Sequence, residues 1–190
     1  MEKQINKYVK FNKLAEANGI VVFGSGKDVN IPIGEIRQAF SVDSKMYNRS
    51  FENLSITKAE AVYEKCIAPL YPETVLIHIG EDDFSLFKKN SSVFDTTYHR
   101  LINLIKKQNA NCRIAVVSMR DQNNHPLIDE MNQHLKNIAN LEQCEYSDIA
   151  SKKVWNPKTA MDAASFIYSI GFVKPKLPLY DLVKMLFCYE

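Results

Sequence analysis

No stretch of this sequence is long and apolar enough to cross a bilayer, and Met1-Glu2-Lys3-Gln4 lead into a charged segment. The expectation is a protein with no membrane partner. C-x-x-C pairs are also missing. Cys66, Cys112, Cys144 and Cys188 are widely spaced, which argues against zinc or redox motifs and for reduced thiols in a cytoplasmic setting. Nor is there an excess of one charge. With 24 basic and 22 acidic side chains the formal charge is +2, and no basic stripe or like-charge run is visible. Neither nucleic acid nor an anionic membrane is therefore expected as a partner. Glycine is scarce, and the phosphate-binding loops that depend on it fail. Gly24-Ser25-Gly26-Lys27 has Val21 where a P-loop begins and Asp28 where its hydroxyl belongs, and Val29 breaks the dinucleotide fingerprint. No cofactor is expected.

What is present reads as one α/β domain spanning 1–190. Hydrophobic residues make up 46% of the 190 positions, enough for one full core. Three continuous apolar runs predict buried parallel strands: Ile20–Phe23, Thr74–Ile79 and Arg113–Ser118. Lys45–Asn48 and Cys144–Asp148 are weaker strand candidates. Helical spacing fills the gaps. Asn30 is placed to cap a helix with Pro32 in its first turn and Ile33, Ile36 and Phe40 on one face. Thr57 is placed to cap the next, which carries Val62, Tyr63, Cys66 and Ile67. Further stripes run through Tyr98, Leu101, Ile102 and Ile105, through Leu127, Ile128, Met131, Leu135 and Ile138, and through Leu179, Leu182, Val183, Leu186 and Phe187. An opening helix is expected around Tyr8 to Ala17, ending at Asn18-Gly19. Strands alternating with such helices predict a three-layer, doubly wound, mostly parallel five-stranded sheet of flavodoxin-like type.

In that architecture ligands bind beyond the carboxyl ends of the strands. The segments there are Gly24–Asp28, Gly80–Asp83 and the region after Asp148. Glu81, Asp82 and Asp83 could hold a cation or shift one another's pKa, although a solvated loop capping the following helix is the simpler expectation. Joined by Asp162, they form the metal-binding alternative. Of the histidines, His78 lies inside a buried strand, His99 and His134 lie on helices and His125 in a polar turn, so each is expected to be structural. Trp155 is either a stacking surface or a packing anchor.

These blocks, in this order, resemble the SGNH (GDSL-type) hydrolases over about Gly19 to Phe187. Ile20-Val21-Val22-Phe23-Gly24 is similar to that family's first strand. Tyr47-Asn48-Arg49-Ser50 is similar to the approach to block two, and Pro72 through Asp83 to its strand leading into G-x-N-D. Asn132 and Leu135 resemble its N-x-x-L segment, and Asp162 with Gly171-Phe172 its last block. In the family the serine of G-D-S attacks an ester, a late histidine and aspartate activate it, and a glycine amide and an asparagine complete the oxyanion hole.

Carried over residue by residue, the resemblance implies a changed site. Gly24-Ser25-Gly26 aligns with G-D-S, so Gly26 holds the nucleophile position and Ser25 lies one place early. Asn53 aligns with the block-two glycine and Asp82 with the oxyanion asparagine. Asp162 is retained, Ser165 (or, with the frame moved by one, Phe166) stands where the histidine belongs, and no histidine follows His134. The candidate catalytic residues are thus Ser25, Asp82 and Asp162, and the candidate ligand-binding residues are Gly24, Gly26, Asn53, Glu81 and Ser165. The resemblance implies a catalytically impaired relative that keeps a pocket for a small polar or ester-containing ligand. The alternative is an esterase with a rearranged site, in which Ser25 is assisted by Asp162, His78 or His125.

Overall fold

The computed structural model describes residues 1–39, 42–119 and 126–149, together with Val183, Leu186 and Phe187. Five strands form one sheet: β1 (Ile20–Gly24), β2 (Met46–Asn48), β3 (Thr74–His78), β4 (Arg113–Val117) and β5 (Glu145–Ser147). Their order is β2-β1-β3-β4-β5, and every pairing is parallel. The expected α/β sheet is present, and all of its strands run the same way. All three apolar runs became strands because their residues are buried on both faces, as a sheet covered by helices requires.

The two faces sort by alternation along each strand. Val21, Phe23, Val75, Ile77, Ile114 and Val116 point into the larger core. That core is closed by α1 (Glu2–Asn12), α3 (Ile56–Cys66), α5 (Ser91–Gln108) and α6 (Ile128–Leu141), through Tyr8, Tyr63, Tyr98, Leu101, Met131 and Leu135 among others. Ile20, Val22, Leu76, Ala115 and Val117 face the opposite side. There they meet Ile36 of α2 (Ile33–Ala39) and the helical residues Val183, Leu186 and Phe187.

Three local expectations are corrected. The opening helix is α1 at Glu2–Asn12, not Tyr8 to Ala17, because Gln4, Tyr8 and Asn12 turn one face inward. Gln4 and Tyr8 donate to the Ser50 carbonyl at 2.8 and 2.7 Å, and Asn12 donates to the Cys66 carbonyl at 2.9 Å. After Asn12 the chain must turn towards β1, and Asn18 does so at φ 62°. Ser55, not Thr57, caps α3: its hydroxyl accepts from the Thr57 amide. Asn30 closes a 3-10 turn, Gly26–Asn30, instead of capping α2, which starts at Ile33 beyond Pro32. Asp162, Ser165, Trp155, His125 and Cys188 lie outside the described residues.

Candidate functional site

Three loops meet where β1 and β3 end. Gly24 pairs in register with His78, and the Ser25 amide donates to the His78 carbonyl at 3.0 Å. One residue on, the Gly26 amide donates to the Glu52 carbonyl, which draws in the loop that carries Asn53. Glu81 and Asp82 arrive from β3 through a 3-10 turn, Glu81–Asp83. The structure thus brings together Gly24, Ser25, Gly26, Glu81, Asp82 and the loop of Asn53.

Each residue's surroundings limit its chemistry. Ser25 continues β1 in extended conformation and bridges Phe51. Its Oγ is buried and makes no hydrogen bond among the described residues. Gly26 adopts φ +63°, a region that side chains other than glycine's rarely enter. The Glu81 carboxylate also lies where a Cβ on Gly26 would stand. Burial pushes the Glu81 carboxyl above its ordinary value, His78 opposes the rise, and Asp28 and Asp82 add to it.

The acid run does not behave as a solvated cap of the helix that follows it, α4 (Phe84–Lys89). Asp83 offers no side-chain cap to α4 and reaches back to the start of α3. It accepts from Ser55 Oγ at 2.5 Å and from the buried Ile56 amide at 2.9 Å, while Asp82 accepts from the Leu54 amide at 2.8 Å. Burial raises the Asp83 carboxyl, against the pull of those two hydrogen bonds. Asp82 and Asp83 therefore serve different partners, while Glu81 lies over Gly26. Among the described residues no group of three or more histidine, cysteine or acidic side chains is arranged to hold a metal ion.

A second feature was not read from the sequence. Asp28, the residue that spoils the P-loop, is buried and lies 2.7 Å from His78 Nδ1. The ring of Phe187 closes against His78 edge-on, 4.8 Å between centroids. Gly24 has to be glycine here, because a Cβ on it would run into the Asp28 carboxylate. The only sequence signals were a histidine ending an apolar strand and an aspartate four residues after Gly24; their meeting depends on the β1–β3 register. Alternation puts this pair on the Phe187 side of the sheet, whereas Ser25 follows Val21 and Phe23 towards the other side.

No family profile matches the chain, and no curated protein sequence matches it. Solved structures do. A GDSL-like lipase from Bacteroides thetaiotaomicron superposes with a TM-score of 0.62 at 15% identity, covering 96% of this chain and 94% of its own. A catalytic mutant of an acetylxylan esterase from Geobacillus stearothermophilus gives 0.56 at 15% identity, over 86% and 99% of the two chains. A psychrotrophic esterase from Pseudoalteromonas gives 0.56 at 16%, over 70% and 78%. The fold is SGNH-hydrolase-like. Within an SGNH-like fold the ends of β1 and β3, which carry Gly24–Gly26 and Glu81–Asp82, are where the resemblance in sequence located the altered blocks.

Proposed function

We propose that this chain is an SGNH-fold protein without the ester hydrolysis of its structural neighbours, keeping a recess at the strand ends for a small polar or ester-containing ligand. The observation that carries this reading is the Glu81 carboxylate lying over Gly26, at the position aligned with the family's serine. No nucleophilic side chain stands there, and none fits without displacing Glu81. Asp82 supports the same reading. It aligns with the oxyanion asparagine, yet its carboxylate sits on the Leu54 amide. An anion there opposes a second negative charge developing on a substrate, where catalysis needs donors. Ser25 is no replacement, because its hydroxyl is buried and its extended backbone turns it from the face that holds Asp28 and His78. Cytoplasmic residence belongs to the same proposal, supported by the free thiols of Cys66, Cys112 and Cys144. Among the described residues no helix is long and apolar enough to cross a membrane.

The test is hydrolysis of p-nitrophenyl acetate and butyrate by wild type and Ser25→Ala, measured together. Neither protein is expected to exceed the buffer rate. A wild-type rate that disappears in Ser25→Ala would establish a rearranged serine esterase and end the proposal.

A further inference from the structure

The inward face of α1 is fixed by Gln4, Tyr8 and Asn12, spaced four apart and bonded to Ser50 and Cys66. That anchoring dictates what the helix shows to solvent. At 100° per residue, Lys3, Lys7 and Lys10 fall together on the opposite side, and Leu14 follows in the turn just past the helix end. All four are exposed. Leu14 is 86% exposed and Phe11, beside the stripe, 48%. Lys7 Nζ lies over the Phe11 ring at 5.6 Å, and exposed Lys13 follows at the C-cap. With the helix expected from Tyr8 to Ala17, Lys3 and Lys7 lay outside the helical frame, and the stripe was invisible.

The charge is concentrated here. Residues 1–14 hold four lysines and one glutamate, whereas the other 176 residues carry 20 basic and 21 acidic side chains. The net positive charge of the chain is thus a property of one helix face. A basic row with exposed Leu and Phe matches an anionic lipid leaflet: ammonium groups meet phosphate and carboxylate headgroups, and the two apolar side chains enter the boundary beneath. We propose that the outer face of α1 is a docking surface for membranes rich in anionic phospholipid. Its chemistry is peripheral and reversible, because α1 stays packed on the body through Tyr8 and only side chains reach the lipid. Nucleic acid is the competing polyanion, but it offers no apolar boundary for Leu14 and Phe11.

The experiment is co-sedimentation of the full chain with phosphatidylcholine vesicles, with and without phosphatidylserine, at low and high salt. Binding is expected only to the anionic vesicles and is expected to weaken with salt. In Lys3→Gln/Lys7→Gln/Lys10→Gln the partition coefficient should fall by roughly fivefold per lysine removed. Leu14→Ser/Phe11→Ser should weaken binding while leaving its salt dependence in place. All five side chains are exposed, so thermal midpoints should match wild type and certify that each variant is folded. No sedimentation with anionic vesicles at low salt overturns the proposal. Vesicle binding indifferent to the lysine substitutions overturns it as well, as does retention of duplex DNA with no retention of vesicles.

Discussion

Gly26 is under two constraints, a left-handed backbone and a carboxylate standing where its side chain would go. Gly26→Ala should therefore lower the unfolding free energy by about 1–3 kcal/mol. Glu81→Ala in the same chain should return part of that loss, leaving the backbone strain behind. A urea double-mutant cycle reads the coupling, and strictly additive effects would show that Glu81 does not stand over Gly26. Glu81 also makes a pH prediction. Its carboxyl titrates above 4.5 in the folded chain because burial disfavours the charged form. The folded state then keeps the proton to higher pH than the unfolded state does. The stability linked to that proton is complete below pH 4.5 and is lost as the pH rises through the raised value. Glu81→Gln has no such proton to lose, so its stability should gain on wild type between pH 4.5 and neutrality, measured by urea unfolding across that range. A constant difference would contradict the raised titration.

At the scale of elements, the Asp28–His78 contact ties the 3-10 turn after β1 to the last residue of β3. Both side chains are buried, so deleting His78 takes from Asp28 a partner in a poorly solvated place. His78→Ala is expected to cost about 1–3 kcal/mol. Gly24→Ala should reproduce much of the effect without replacing either partner, since its new Cβ pushes Asp28 away. Thermal melts of the two single variants and the combined variant test this, the combination being expected to cost clearly less than the sum. Asp83 performs a comparable task between β3 and α3, with its carboxylate on the Ile56 amide. These ties explain why the strand-end loops meet at all. Helix and strand periods were legible one segment at a time, but a bond between positions 28 and 78 has no local pattern to announce it.

For the whole molecule, one sheet with a core on each face implies one cooperative unit. The chain has a single tryptophan, Trp155, so its fluorescence and the far-UV ellipticity should share one urea midpoint if 1–190 is one domain. Two separate midpoints would divide it. By itself the sequence determined the class of architecture, because continuous β-branched runs alternating with helical stripes leave a covered parallel sheet as the arrangement that buries them. It also located the glycines and acids at the strand ends, since the order of the blocks is a linear property. The frame of α1 was beyond it, because tertiary anchors at Gln4, Tyr8 and Asn12 set that frame more firmly than local propensity did. Only the tertiary structure decided which groups these residues meet. The register of β1 against β3 brings Asp28 to His78 and turns Ser25 to the other face, and the fold of the acid turn puts Glu81 over Gly26. Those are contacts between distant segments, and their geometry follows from packing, which no single stretch of chain encodes.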